Sequence, residues 1–172
     1  DLAETLTEIT YRDRRGEIPE AREPWYRLPV FNFHDGRLLS NYVRSVIQKA
    51  QRVPEVPRLT EKQVEAFDFL DTTVSDPTLY LELEFEPGDI QFLCNHYIMH
   101  SRTAYEDYPD PERRRHLLRL WLAAEDGPLL PTPYDEFMGK TRSGRPNGYH
   151  VAGAQLTAPL EVEYGGPETV RQ

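Results

Sequence analysis

The sequence predicts a mainly antiparallel β fold of the jelly-roll type, with helices placed outside the sheet. Two amphipathic helical segments come first, and the spacing of the apolar residues then changes from three or four to two. A turn sequence, Pro87-Gly88-Asp89, separates the first two predicted strands. At 172 residues, the chain has room for one domain with a core and not for two comfortable ones.

The helices are predicted from local signals in the first half of the chain. Residues 2–9 have helical spacing, and the polar stretch after them has loop character. An extended, aromatic-rich segment follows and ends at Asp35-Gly36, which is a strong turn signal. Apolar residues at three- and four-residue steps predict a helix over 38–53. Thr60 and Gln63 form a capping box that starts the next helix, which is predicted to bury Val64, Phe67 and Leu70.

Three strands are predicted after these helices. Apolar and polar residues alternate from Leu79 to Phe85, as a strand with one solvated face requires. The segment Ile90–Cys94 is almost wholly apolar, which is typical of a strand buried on both faces. We expect these two to pair antiparallel, with Leu117–Ala124 in the same sheet system. Phe92 and Trp121 should then be buried.

Composition excludes several classes of partner. The net charge is −9 and the basic residues are scattered, so we expect no nucleic-acid partner. No apolar run approaches the roughly 20 residues that cross a bilayer, and the acidic start does not resemble a signal peptide. We therefore expect a cytoplasmic protein that does not enter a membrane. The one cysteine, Cys94, excludes an intramolecular disulfide and a multi-thiolate zinc site, and we expect it to be buried.

A metal-site motif lies in EFEPGDIQFLCNHYIMHSRTAYEDYPDPERRRHLLRLWL, residues 84–122. This segment resembles the distal metal-ligand region of the iron(II)/2-oxoglutarate oxygenases of the taurine dioxygenase and clavaminate synthase type. The matching features are the Pro-Gly-Asp turn, an asparagine with a histidine five residues later, and arginines on the following strand. The resemblance implies a double-stranded β-helix, a jelly roll, of which residues 1–172 are the carboxyl-terminal part of a single domain.

The resemblance also implies site residues. Such enzymes hold Fe(II) with two histidines and one carboxylate on one face and leave positions for 2-oxoglutarate and dioxygen. The distal histidine falls on His100, five residues after Asn95, with His96 as the rival. Arg115 corresponds to the arginine that binds the far carboxylate of 2-oxoglutarate, which a guanidinium fork matches. Arg119 lies an even number of residues further on and faces the substrate or reinforces that contact.

The other half of this metal site is missing from the sequence. The family's proximal ligands form a His-x-Asp or His-x-Glu pair, and none of the five histidines has an acidic residue at the second position after it. His34 and Asp35 are adjacent and would point to opposite faces of a strand. Because the chain also begins with Asp1, we expect a portion of a longer protein, inactive alone, whose partner is a missing upstream segment of the domain or a second chain.

Two other functions stay open at this point. The chain could be a truncated, non-catalytic jelly-roll module that binds or supports another molecule. Alternatively, His96 and His100 could form an unrelated zinc site, although no glutamate lies between them to act as a general base. If the chain is part of an oxygenase, its substrate is a small molecule, and Arg102, Tyr105 and Arg119 are the local candidates for accommodating a polar or anionic group.

Overall fold

The computed structural model describes residues 1–16, 18, 21–122 and 129–138. Its described strands form two separate two-stranded antiparallel sheets, β1 with β2 and β3 with β4. In chain order the helices and strands are α1 (Leu2–Thr5), β1 (Ile9–Asp13), β2 (Trp25–Pro29), β3 (Phe31–His34), β4 (Arg37–Ser40), α2 (Arg44–Ala50), α3 (Glu61–Val74) and α4 (Asp135–Met138). Short 3-10 turns lie at Pro111–Arg113 and Thr132–Tyr134.

The hairpin of β3 and β4 forms at the predicted turn. Asp35 and Gly36 both have positive φ, 49° and 71°, and they connect strands whose last pair is His34 opposite Arg37. Two residues in this conformation make the type I′ turn that matches the twist of a hairpin. The predicted helix over 38–53 is therefore wrong at its start, because the hairpin pairs its first residues into β4. Helix α2 begins only at Arg44 and ends at Ala50.

Strand β1 lies where the sequence predicted the end of a helix and a polar loop. The reason is that its polar side chains are buried and hydrogen-bonded instead of solvated. The Thr10 hydroxyl donates to the carbonyl of Leu28 at 2.6 Å, and Arg12 is wholly buried. A strand whose inward residues include threonine and arginine does not show the usual apolar alternation, so the pattern did not reveal it.

The predicted capping box at the start of α3 is confirmed. The Thr60 hydroxyl accepts from the Gln63 amide at 3.2 Å, and the Gln63 side chain accepts from the Thr60 amide at 3.0 Å. Phe67 and Leu70 are buried as predicted, but Val64 is exposed, so its predicted burial is wrong. The main core joins residues from four parts of the chain: Leu6 after α1, Val30 between β2 and β3, Ile47 of α2, and Ala66, Phe67 and Leu70 of α3.

The three strands predicted between Leu79 and Ala124 do not form among the described residues. Residues 79–122, here called the extended segment, are all described and contain only turns and one 3-10 turn; residues 123 and 124 lie outside the described residues. Phe92 is 82% exposed and Trp121 is 61% exposed, so the predicted burial of both is wrong. Alternation specifies which face of a strand is apolar, but a strand also needs a neighbour for its amides and carbonyls. Residues 79–85, 90–94 and 117–122 pair with none of the described strands.

The jelly-roll prediction is thus met only in part, by small antiparallel sheets with helices packed on them. The Pro87-Gly88 turn forms as expected, with φ of 101° at Gly88. None of the described helices is long and apolar enough to cross a membrane.

Helix α3 offers a matched pair of phenylalanines to test this core. Phe67 is 1% exposed within the core, whereas Phe69, two residues later, is 58% exposed. We expect Phe67→Ala to lower the free energy of unfolding by about 3–5 kcal/mol, because it removes apolar burial and leaves a cavity. Phe69→Ala should cost less than about 0.5 kcal/mol. Urea denaturation of both variants measures the difference, and similar losses would contradict the packing of α3.

Candidate functional site

The candidate site is built around one turn of the extended segment. His96 and Tyr97 are the only residues between 79 and 122 that are not exposed. They lie in a turn, Cys94–Ile98, that is closed by bonds from the Tyr97 and Ile98 amides to the Cys94 carbonyl at 2.9 and 3.1 Å. We call these five residues the docking turn. His100, the predicted metal ligand, follows two residues after it.

The docking turn contacts strand β4 through backbone and side chain. The Ser40 amide donates to the His96 carbonyl at 2.8 Å, so the turn occupies the edge of β4 that faces away from β3. Nη1 of Arg37 donates to the Tyr97 hydroxyl at 3.2 Å, and the guanidinium carbon lies 5.8 Å from the centre of the Tyr97 ring. A cation close to an aromatic ring adds a modest attraction to the hydrogen bond.

A second contact comes from the carboxyl-terminal side of the described chain. The His96 ring meets Tyr134 edge-on, with ring centres 5.6 Å apart. Tyr134 is 1% exposed and packs with Tyr26 and Leu28. Its hydroxyl is buried and has no hydrogen-bond partner among the described residues, and burial raises the pKa of Tyr134 to about 12. Burial also lowers the pKa of His96, so its imidazole is favoured in the neutral form.

A small cavity of about 200 Å³ lies beside the docking turn. It brings the β3–β4 hairpin next to Tyr97, and its polar groups include the His34 imidazole, whose Nε2 lies 3.6 Å from Oδ2 of Asp35. The lining residues are His34, Asp35, Arg37, Leu39, Tyr97 and Leu129. The hairpin therefore places both charged and aromatic groups next to the segment that carries His100.

Among the described residues, the structure does not bring the predicted metal ligand His100 together with other ligands. His100 is exposed, and no three His, Cys, Asp or Glu side chains come together to hold a metal ion in the part of the chain that the structure describes. His96 is turned towards Tyr134 and is partly buried, which disfavours it as the ligand. Cys94 is exposed, so its predicted burial is wrong. The assignment of His100 as a metal ligand therefore stays a prediction.

The two predicted 2-oxoglutarate arginines lie further along the extended segment. Arg115 is exposed, its backbone amide donates to Oδ1 of Asp107 at 3.0 Å, and its guanidinium carbon lies 5.4 Å from the centre of the Tyr105 ring. Arg102 lies 4.4 Å from the same ring centre. Arg119 is exposed as well. The strand that was expected to aim Arg115 and Arg119 at the metal is absent here, so their roles stay predictions.

Sequence reasoning missed the residues that hold the docking turn. Arg37, Ser40 and Tyr134 are separated from His96 by 36 residues or more, and no motif or period links them to it. Of the residues that make these contacts, only Tyr97 lies next to His96 in the sequence. Contacts of this kind depend on the tertiary fold, which spacing along the chain does not specify.

Comparison with known proteins identifies the family. Residues 1–121 match the taurine catabolism dioxygenase TauD, TfdA family. The chain belongs to this family. It is 36% identical over 128 residues to FR-33289 synthase of Streptomyces rubellomurinus, 37% over 128 residues to a taurine hydroxylase-like protein of Stachybotrys chartarum, and 43% over 124 residues to uridine-5'-phosphate dioxygenase of an Amycolatopsis species. The matched residues include strands β1 to β4, helices α1 to α3 and the extended segment through Trp121.

These matches cover most of this chain and a minor part of the relatives. They take in 70%, 70% and 72% of the chain, but 36%, 30% and 43% of the respective relatives. The chain therefore spans about a third of the length of the relatives that it matches. The TauD family is one of iron(II)/2-oxoglutarate-type oxygenases, and this confirms the resemblance on which the assignment of His100 was based.

The lowered pKa of His96 gives a test of the docking turn. Since the folded state disfavours the charged imidazole, the unfolded chain binds this proton more readily. The stability from burying His96 is therefore complete above its unfolded pKa near 6.5 and is lost as the pH falls below that value. We expect the His96 ring protons to titrate by NMR below pH 6.5. In Tyr134→Ala, which removes the aromatic cover, the midpoint should rise; an unchanged midpoint would contradict the ring contact.

Proposed function

We propose that this chain is part of an iron(II)/2-oxoglutarate-dependent oxygenase that oxidises a small molecule, with release of succinate and carbon dioxide. The observation that carries the proposal is the family's histidine motif held beside the folded body. His100 lies at the motif's interval from Asn95, and the docking turn just before it is attached to β4. Bound iron would supply the activation of dioxygen, and His100 would be one of its three protein ligands.

The donor set of the described residues fits only part of such a site. One imidazole is too few to hold iron against water, and a facial site needs a second histidine and a carboxylate. We propose that these come from another segment of the same domain or from a second chain. The relatives contain more than twice the matched length, which leaves room for such a segment in a complete domain.

The exposed surface of the extended segment supports this proposal. Leu81 is 90% exposed, Ile90 is 79% exposed, and Phe92 and Trp121 are exposed as well. Burying one such side chain stabilises a fold by about 1.5–3 kcal/mol. Large apolar side chains repeated along unpaired backbone are typical of strands that pair with another polypeptide segment. A segment that adds strands here would place its own ligands near His100.

A non-catalytic module is the second candidate function. It is favoured by one observation, which is that the described residues do not bring three metal ligands together. The two functions differ in the gene. A reading frame that continues upstream of Asp1 to a His-x-Asp or His-x-Glu pair supports the oxygenase, whereas a start codon just before Asp1 supports the module.

The first prediction from the oxygenase proposal concerns the metal ligand. In a protein that contains these residues together with the remaining ligands, His100→Ala should abolish iron-dependent turnover of 2-oxoglutarate, measured as succinate release. His116→Ala is the matched control, because His116 is also exposed in the same extended segment. Turnover that survives His100→Ala but is lost in His96→Ala would show that the other histidine of the motif is the ligand.

The second prediction concerns the cosubstrate. Arg115→Met in the same protein should weaken 2-oxoglutarate binding by about 2–5 kcal/mol, because the far carboxylate would lose a charge-assisted and bidentate partner. Arg113→Met is the control, since Arg113 is also exposed in the extended segment and its guanidinium carbon lies 3.9 Å from the centre of the Tyr108 ring. Calorimetric titration of 2-oxoglutarate into both variants gives the comparison. An affinity unchanged by Arg115→Met would transfer the role to Arg119.

A further inference from the structure

We propose that Arg37, Ser40 and Tyr134 are positioning residues for His100. They hold the docking turn against the folded body and thereby fix the place of the histidine that follows it. The inference rests on the proposed function, because it gives the three residues a purpose only if His100 binds a metal. None of the three is itself a ligand in this proposal; each acts through His96 or Tyr97.

The first argument is that the docking turn is the attachment point of the extended segment. Apart from the bond of the Leu79 amide to the neighbouring Asp76 carbonyl at 2.9 Å, the hydrogen bonds and ring contacts seen between residues 79–122 and the other described residues involve His96 or Tyr97. The side chains before and after the docking turn are exposed. The location of His100 relative to the sheets is therefore set by this one turn.

The second argument is that β4 has an edge suited to this attachment. The inner edge of β4 pairs with β3, and just beyond its end the Asn41 amide donates inwards to the Val30 carbonyl at 2.9 Å. Successive amides of a strand point to opposite edges, so the Ser40 amide points outwards, where the His96 carbonyl accepts it. The docking turn satisfies a donor that the edge would otherwise leave to water.

Three separate contacts fix the orientation of the docking turn. The contacts to Ser40, Arg37 and Tyr134 reach the turn through its backbone, the Tyr97 side chain and the His96 ring. Contacts at three separate points fix orientation as well as distance, which a single hydrogen bond does not. His100 is three residues beyond Tyr97, so its Cα stays within roughly 11 Å of the anchored Tyr97 Cα. Without the docking turn, the nearest fixed element before it is α3, which ends at Val74, and the intervening chain would allow His100 to move over a far larger volume.

Cys94 makes a direct test possible in the 172-residue chain. It is the only cysteine, it belongs to the docking turn, and its exposed side chain accepts a nitroxide label. Electron paramagnetic resonance should show a slow, immobilised component in the parent. Tyr97→Phe and Arg37→Gln should each convert most of it to the mobile form, and the double variant should add little, because both changes remove the same contact. Tyr108→Phe, which alters a ring elsewhere in the extended segment, should leave the spectrum unchanged.

A second measurement links the docking turn to the metal without using turnover. In the protein that holds the remaining ligands, Tyr97→Phe and Arg37→Gln should weaken Co²⁺ binding by roughly 10–100-fold, as loss of groups that orient a ligand does. Tyr108→Phe again serves as the control, and circular dichroism verifies that each variant is folded. His100→Ala in the same titration tests the proposed function separately.

The outcomes distinguish the positioning role of the docking turn from the proposed role of His100 as a metal ligand. A label that is equally mobile in the parent and in Tyr97→Phe would overturn the docking of the turn. Immobilisation lost in the variants with Co²⁺ affinity unchanged would overturn the positioning role, although the contact would exist. A Co²⁺ affinity that does not fall in His100→Ala would overturn the proposed metal ligand, and the positioning of His100 with it, whatever the label shows.

Discussion

The buried guanidinium of Arg12 joins the two small sheets. Its Nη2 donates to the carbonyls of Pro29 and Asn41 at 3.1 and 2.7 Å, its Nη1 donates to the Asn41 side chain, and its Nε donates to the Thr10 hydroxyl at 3.4 Å. Burial lowers the pKa of Arg12, but a guanidinium keeps its proton in proteins. A buried charge is tolerable only where its donors are satisfied, and here they are satisfied by backbone and side chains of both sheets. Loss of Arg12 would remove one hydrogen-bond donor from each of the Pro29 and Asn41 carbonyls at the junction of the sheets.

This junction determines where the candidate site forms. Asn41 directly follows β4, so the Arg12 contact fixes the end of the strand whose Ser40 amide binds the docking turn. At the other end of β4, the Asp35-Gly36 turn sets the register that places Arg37 opposite His34 and beside Tyr97. Arg12, strand β4 and the docking turn therefore connect the buried core to the part of the chain that carries His100. Because His96 and Tyr97 are attached by hydrogen bonds, the exposed His100 is restricted to a region near strand β4.

The features of the fold that the sequence predicted correctly are those determined by a few neighbouring residues. The Asp35-Gly36 turn formed as expected, because these two residue types readily adopt the positive φ that the turn requires. The Thr60 cap also formed as expected, because the Thr60 hydroxyl accepts from an amide in the first turn of the same helix. Strand β1 was missed because its buried residues are polar, and the later strands were wrong because pairing depends on a neighbour. At the site, the interval from Asn95 selected His100. The contacts of Arg37 and Tyr134 could not be predicted, as they arise when distant segments meet in the fold.

The charge pattern of the extended segment bears on which polypeptide covers it. Glu82, Glu84 and Glu86 alternate with the exposed apolar side chains that begin at Leu79. In a strand, these carboxylates would form one row on the face opposite the leucines. Two copies of this chain that paired through this stretch would place the acidic rows next to each other, and like charges on neighbouring strands destabilise the pairing. A different segment with polar or basic residues at those positions has no such penalty. The pattern therefore favours a complementary strand over a second copy of the same strand, and so a domain completed by a distinct segment over a symmetric dimer formed through this edge.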